Sequence, residues 1–564
     1  MATKKVKSST STKMKRLPND PNFQKDYMVY VDTNKEKPEI FSCMLNQTDI
    51  DNNKNKFYVI ELLEKTDKKL YTVYTRYGRI GEFGKVLIKT TDTSLEPVIK
   101  EFTSIFKSKT GNAWKDRKHF VLKLKKYFMT QHEEDEVSEE EEINGFKDTS
   151  TDSNKKTTKI KSNKKVKSDE MTTVIDVKTN INAALLKEYP QLNASGKETV
   201  QKLEIAPAEC TLDKRIQIFI ALISNIEIMT ETMRDFNIDL KRMPLGKISE
   251  SQIQEGFEIL KKVAKKFSDN TVKETFSQLS SIFYTYIPVS VGRSMAPPII
   301  DNEKTIEKYV DMLQVLSDLE IAGSILDKKN LAEFGKIHKY DRIYKQLKVD
   351  LAPIVLDNKS KEYKMITTYI NNTVAPTHNY YTLEVLDAIK VNREEENTRF
   401  NDCGNNVLLF HGSRVANYMG ILSQGLRINN NAPKTGSMFG LGSYFSNCAT
   451  KSANYCYANS SNNEAIILLC MVSLGKTYNK LDSEYITYLP NEKHHSTWGR
   501  GKSTTNPKEA IKIKEDGTKK TILVPLGKLI DSDVKGSLLY DEFIVYKENQ
   551  VKIKYAIRLK FNYK

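Results

Sequence analysis

The sequence predicts a multidomain α+β protein: a small β-rich unit, then an all-helical region, then a mixed α/β C-terminal third with antiparallel sheets. Three observations predict it. The chain has 564 residues, more than a single hydrophobic core organises. Low complexity divides it: an acidic run, Glu133 to Glu142, is followed by a Lys/Ser/Thr/Asn tract that includes Lys155 to Lys167. Blocks of like charge repel and bury little, so residues 131–200 are expected to be a disordered linker. The apolar pattern also changes on either side of this break, from strand-like runs to a period of three or four residues and back.

The N-terminal unit, 22–130, reads as strands followed by a helix. Phe57 to Leu63 is a short buried-strand run, and Leu70 to Tyr77 alternates bulky with polar residues. Gly78, Gly81 and Gly84 punctuate a turn and the next strand. Ile99, Phe102 and Phe106 have helical spacing. The region 201–331 is expected to be helical. Leu212, Ile216, Phe219, Ile223, Ile226, Met229, Met233 and Phe236 recur at helical spacing, as do Ile253, Phe257, Leu260 and Val263, then Ile306, Val310, Leu313 and Leu316. Pro244 with Gly246 marks a break, and Ser249 with Gln252 a capped restart. These stripes are read as core. In 332–564, Leu408 to Phe410, Ile466 to Val472 and Phe543 to Tyr546 are strand-like. Val551, Ile553, Tyr555, Ile557, Leu559 and Phe561 alternate with mostly basic residues, which predicts a strand with one face buried.

A net charge of +16 implies a polyanionic partner, nucleic acid foremost. The arm 1–21, with Lys4-Lys5-Val6-Lys7 and Lys13-Met14-Lys15-Arg16, fits a disordered nucleic-acid-binding or nuclear-targeting segment, or a plain solvated tail. It lacks the apolar core of a secretory signal, and no apolar run reaches eighteen residues, so no membrane partner is expected. The six cysteines are scattered without a C-x-x-C pair, which argues against zinc fingers of the usual spacing and against a disulfide scaffold. No metal site is expected.

Several near-matches are refused. Gly501-Lys502-Ser503 resembles the end of a phosphate loop, but Ser496 stands where the first glycine is needed. Gly440-Leu441-Gly442 runs into Ser443-Tyr444-Phe445 and not into a helix, so it is no dinucleotide fingerprint. Lys434-Thr435-Gly436 lacks the companion elements of a β-lactamase site, and His494-His495 lies in a polar loop.

One constellation remains. His411-Gly412-Ser413-Arg414 follows the apolar strand Val407 to Phe410, placing a side chain and bare backbone at a strand end. Downstream come Gly440 to Phe445, Lys451-Ser452-Ala453-Asn454-Tyr455, and Ser537 to Tyr546 with Glu542. Each alone also fits a satisfied strand-end histidine, a glycine turn or an exposed edge glutamate. Together and in order they closely resemble the catalytic domain of the poly(ADP-ribose) polymerase family, through HGSRVANYMGILSQGLRI (His411 to Ile428) and TKSANYC (Thr450 to Cys456). Met243 to Lys247 and Phe283 to Pro288 resemble that family's helical regulatory domain. Arg76-Tyr77-Gly78-Arg79-Ile80-Gly81, with Lys109 to Arg117, resembles its WGR DNA-break-sensing domain. The combination is most similar to the shorter DNA-damage-dependent members.

The resemblance implies a DNA-break-activated transferase that moves ADP-ribose from NAD⁺ to acceptor proteins, itself included, and elongates the chain with release of nicotinamide. NAD⁺ is then a substrate, and no resident cofactor is implied. Cleaving the nicotinamide–ribose bond develops positive charge on the ribose, as in glycoside cleavage. By resemblance, Glu542 bonds the ribose 2′-OH, stabilises that cation and polarises the acceptor hydroxyl, with Lys451 orienting it. Gly412 and Ser452 hold the carboxamide, Tyr455 stacks on the nicotinamide and Tyr444 packs on its other side. His411 bonds the adenosine ribose, supported by Ser413, Asn417 and Arg427. His411, Tyr444 and Glu542 form the combination of chain-elongating members; a mono-ADP-ribosyltransferase and a catalytically idle break-binding scaffold are the alternatives. Tyr77, Gly78 and Arg79 are the expected DNA contacts, although Tyr77 replaces the signature tryptophan. Ser437 stands where an aromatic residue is common in the cofactor loop, and Ser446 where a smaller residue is usual, a change read as neutral. An accessory factor completing the site is compatible with this reading. The nucleus, or the DNA-containing compartment of a host cell if the source is viral, is the implied location.

Overall fold

A computed structural model describes residues 17–130, 209–327 and 337–564, apart from short internal breaks at 19, 21–22, 25, 35–37, 67–68, 124, 239–247, 270, 293–294, 358, 434–437, 516 and 519. The basic clusters of the arm, the linker, Met243 to Lys247, Lys434 to Gly436 and Ser437 lie outside the described residues.

In the N-terminal unit, β1 (Tyr27–Val29), β2 (Ser42–Asp49), β3 (Lys54–Lys65), β4 (Tyr71–Arg79) and β5 (Lys85–Asp92) form an antiparallel sheet centred on β3, and β6 (Phe128–Met129) pairs with β2. Gly78 therefore lies inside a strand and not in the turn beyond it. Helix α1 (Leu95–Thr110) packs Val98, Phe102 and Phe106 onto Leu45, Ile60, Leu62 and Val73. Val98 takes the buried position that the spacing assigned to Ile99. Trp114 fills the end of this core, its indole N–H donating to Glu39 at 2.9 Å.

The helical unit contains α2 (Lys214–Ile223), α3 (Ile226–Asp235), α4 (Glu250–Asp269), α5 (Phe276–Tyr286) and α6 (Glu303–Leu326). One periodic stripe was expected from Leu212 to Phe236. The structure breaks it at Ser224–Asn225, where the Asn225 side chain caps α3 by accepting the N–H groups of Glu227 and Ile228. The phase shift leaves Ile226 exposed, although the spacing placed it in the core. By length and apolarity, Lys214–Asp235 matches a membrane span. Here it is two helices, with Ile216, Phe219, Ile220 and Ile223 buried against the rest of the unit. The expected restart is present: Ser249 Oγ accepts the Gln252 N–H at 3.3 Å, and Gln252 Oε1 accepts the Ser249 N–H at 3.2 Å.

Helix α5 docks onto the end of β2 through hydroxyls four residues apart, which share one helix face. Thr285 Oγ1 accepts the Thr48 N–H at 3.1 Å and Ser281 Oγ accepts the Ile50 N–H at 3.0 Å. Ser277 Oγ donates to Asp51. Asn55 Nδ2 adds a bond to the Val289 carbonyl at 2.9 Å.

A connecting helix, α7 (Lys339–Leu347), leads into two sheets. The larger runs in the order β7 (Asp350–Pro353), β8 (Tyr381–Asn392), β17 (Val551–Tyr563), β11 (Glu464–Ser473), β9 (Asn406–Gly412), β15 (Thr521–Val524) and β14 (Ile511–Lys514). The smaller runs β10 (Ser443–Phe445), β16 (Glu542–Val545), β13 (Ser496–Gly499) and β12 (Thr477–Lys480). Pairing is antiparallel except for β9 with β15 and β12 with β13. Helix α8 (Lys361–Asn372) covers the larger sheet, α9 (Tyr418–Gln424) follows β9 and α10 (Ala449–Ala453) follows β10. Strand β17 departs from the expectation of one solvated basic face. It lies between β8 and β11, and its Lys552 is buried, paired with buried Glu515 at 3.1 Å and set over the Phe400 ring.

Candidate active site and nucleic-acid groove

The site forms where the two sheets meet. The Phe410 N–H donates to the Ser446 carbonyl at 2.8 Å, and the Ser446 N–H returns a bond to Phe410 at 3.0 Å, joining β9 to the end of β10. Register then sets the neighbours: Tyr444 lies opposite Ile544 and Phe445 opposite Phe543, so Glu542 begins β16 beside the strand that carries Tyr444. His411 Nδ1 lies 2.9 Å from the Tyr444 carbonyl, which makes it the N–H donor and leaves Nε2 as an acceptor. Burial pushes the His411 pKa down, partly offset by this bond, so the ring is neutral. Register and this bond thus bring three residues from distant segments side by side.

Lys451, on α10, holds the carboxylate: its ammonium is 2.8 Å from Glu542 Oε1 and 2.8 Å from the Tyr540 carbonyl. The residue before it is fixed harder still. Buried Asp541 accepts the Gly501 N–H at 2.9 Å and the Asn447 amide at 3.0 Å, and also bonds Thr504. Ser446, expected to be neutral, donates to the Asp541 carbonyl at 2.8 Å and so supports the same turn. The rejected phosphate-loop fragment has its use here: a Cβ on Gly501 would lie 2.3 Å from the Tyr540 carbonyl carbon, so glycine lets the chain approach the strand that carries Glu542.

Gly412 has a similar constraint. A Cβ there would stand 1.8 Å from the Ser452 carbonyl oxygen. The strand end and α10 therefore meet with bare backbone between them, and Ser452 Oγ donates to the Phe410 carbonyl at 3.2 Å. Tyr455 offers an open ring, 55% exposed. Its phenol is pushed up to about 12 by desolvation, then by the carboxylate of Glu542, by Tyr457 and by Glu307. Tyr444 is held by its hydroxyl, which accepts the Phe439 N–H at 3.0 Å and donates to the Gly440 carbonyl at 2.8 Å. Asn417 Nδ2 donates to Ser413 Oγ at 3.0 Å, while buried Asn417 Oδ1 has no partner among the described residues.

The Arg427 guanidinium, expected to support the adenosine half, is paired with Asp318 on α6. Arg414, which the sequence reading did not single out, stacks on Tyr457 at 3.6 Å and lies 3.7 Å from both Asp311 on α6 and Asp235 on α3. Glu307, Asp311 and Asp318 fall on one face of α6 at helical spacing, and burial pushes all three carboxyls up, Asp318 to about 6 despite Arg427. In the sequence these carboxylates show only as interruptions of a helix otherwise rich in apolar positions, and nothing local marks their arginine partners.

A groove of about 760 Å³ on the N-terminal unit is lined by Tyr77, Gly78 and Arg79, the residues expected to contact DNA, with Lys56, Lys85, Lys89 and Lys109. Burial and then its lysine neighbours, Lys89, Lys126 and Lys56, push the Lys109 amine down. Cations crowded so that they oppose each other's charge suit a polyanion. Tyr77 stacks on Tyr58 at 5.3 Å with 9° between rings, and Lys109 lies over the Tyr58 ring. The Arg79 guanidinium bonds Asn53 and reaches the Met295 carbonyl of the helical unit.

Family models match three parts of the chain: the poly(ADP-ribose) polymerase catalytic domain over 360–561, the regulatory domain over 210–344 and the WGR domain over 41–121. Poly [ADP-ribose] polymerase 2 of Arabidopsis thaliana is 36% identical over 93% of this chain and 74% of its own length. The chain belongs to the poly(ADP-ribose) polymerase family. The Zea mays polymerase 2 is 34% identical over the whole of this chain and 76% of its own, and polymerase 1 of Gallus gallus is 35% identical over 93% and 46%. The chain is an NAD⁺ ADP-ribosyltransferase by this membership.

Proposed function

We propose that the chain is a poly(ADP-ribose) polymerase switched on by DNA strand breaks, with NAD⁺ as substrate and no resident cofactor. The observation that carries the proposal is the double engagement of the helical unit. On one side its α6 carboxylates pair with Arg414 and Arg427; on the other its α5 hydroxyls hold the end of β2, and its Met295 carbonyl holds Arg79 of the lysine-lined groove. A polyanion in that groove competes for Arg79 and alters the docking, and the closed arrangement is the one it disfavours.

In the open state the Gly412 backbone and Ser452 grip the carboxamide, with Tyr455 and Tyr444 on either side of the ring. His411, Ser413, Asn417 and the released Arg427 take the adenosine half. The bond from nicotinamide nitrogen to ribose C1′ breaks with its electron pair leaving on nicotinamide. Glu542, fixed by Lys451, stabilises the cation left behind, and the acceptor hydroxyl forms the new bond to C1′ as it loses its proton. Acceptors include the chain itself, and the compartment is one that holds DNA, the nucleus in a cellular setting.

Incubation with labelled NAD⁺, with and without nicked DNA bearing a 5′-phosphate, tests this by product size. A ladder that depends on DNA is expected. A single-unit product assigns mono-transfer, and no product despite DNA binding assigns a scaffold.

A further inference from the structure

Away from both sites, the two ends of the helical unit come together in a set of three unlike ligands. Cys210 precedes α2, while His338 caps α7 and Asp341 lies in its first turn. Their ligand atoms all fall within 4.8 Å of one another. Cys210 and His338 are partly exposed and Asp341 is buried. We propose that Cys210, His338 and Asp341 bind a Zn²⁺ ion that staples the entry of the helical unit to its exit.

The chemistry of the three groups favours this ion. Thiolate, imidazole and carboxylate together suit borderline Zn²⁺, whereas Mg²⁺ and Ca²⁺ take oxygen ligands. The orientation is partly set already. Asp341 is held by the Thr211 N–H, 3.1 Å from each carboxylate oxygen, and by the Thr211 hydroxyl, the kind of outer support that ligating carboxylates carry. His338 Nδ1 accepts the Tyr340 N–H at 3.2 Å, so it is the unprotonated nitrogen, and it lies 4.0 Å from Asp341 Oδ2. Tetrahedral Zn²⁺ places its ligand atoms about 3.3–3.7 Å apart, so a contraction of under about 1.5 Å closes the set, and the two partly exposed side chains can supply it. On binding, the Cys210 thiol releases its proton to solvent and the sulfur donates to the metal; Nδ1 exchanges one backbone hydrogen bond for the metal bond, and water completes the coordination. The regulatory-domain match runs from 210 to 344, so the ion would join the first matched residue to the last turn.

The test uses the full chain, reduced and freed of metal, titrated with Zn²⁺ and in parallel with Co²⁺; neither titration needs NAD⁺ or DNA, so it stands apart from the catalytic reading. One ion per chain is expected, and Co²⁺ should give the thiolate charge-transfer band of a sulfur ligand. Cys210→Ser keeps a hydroxyl for Asp341 but removes the soft ligand; it should abolish that band and weaken Zn²⁺ at least tenfold, and His338→Gln should weaken it as well. His494→Ala with His495→Ala should change nothing. The absence of stoichiometric binding, binding indifferent to Cys210→Ser and His338→Gln, or binding lost only with the His494 and His495 changes would each overturn the assignment.

Discussion

Glu542 and Gly412 carry the sharpest predictions at the scale of single residues. Glu542→Gln keeps the shape of the cleft but loses the charge paired with Lys451. Chain elongation should disappear from a gel of labelled product, while NAD⁺ binding and some hydrolysis or single-unit transfer persist; equal loss of all three would mean the role is wrongly assigned. Gly412→Ala drives a methyl group against the Ser452 carbonyl, so NAD⁺ affinity, read by calorimetry, should fall at least tenfold while the fold is retained. Asp318 supplies a pH dependence. Its carboxyl sits near 6 in the closed state against an ordinary value of 3.8. A carboxyl raised in this way favours closure most when protonated, below about pH 4, and that contribution is lost as pH rises toward 6 and is level above it. Hydrogen exchange of α6 should therefore quicken between those limits, and Asp318→Asn should flatten the trend; an unchanged slope would remove Asp318 from the switch. His411, Tyr444 and Glu542 were picked out in the sequence through the resemblance of their ordered motifs to the family's catalytic domain, since beside a strand end or glycine turn each alone fits a plainer reading. Asp311 and Asp318 were not, because their meaning depends on arginines more than a hundred residues away meeting that helix face.

The docking of α5 can be tested at the scale of an element. Ser281→Ala with Thr285→Val leaves the Ile50 and Thr48 N–H groups at the interface without acceptors, a cost of about 1–3 kcal/mol each where they are buried. DNA affinity should stay near wild type, whereas the DNA-stimulated rate should fall several-fold; an unchanged rate would show that the signal travels another way. Elements were readable where local pattern and tertiary burial agree, as in β3, α1 and the Ser249–Gln252 cap. They were misread where a neighbour overrides the local pattern. Asn225 ends the Leu212–Phe236 stripe by capping a new helix, and β17 loses solvent at Lys552 because Glu515 and Phe400 cover it. Alternation gives the period of a strand; it does not say what lies against its second face.

For the whole molecule, charge and closure are the two readable properties. If the groove of Lys56, Lys85, Lys89 and Lys109 carries the DNA, affinity must fall steeply with salt, and Lys56→Ala with Lys89→Ala should reduce the slope of log K against log salt by about 2. A slope unchanged by that pair would move the DNA elsewhere, with the N-terminal arm the next candidate. Closure is what links that groove to Glu542, and it has a direct readout in the affinity for a non-hydrolysable NAD⁺ analogue, measured with and without nicked DNA. The expected result is at least tenfold tighter binding with DNA. Equal affinity in the presence and absence of DNA would contradict the closed, DNA-released cleft.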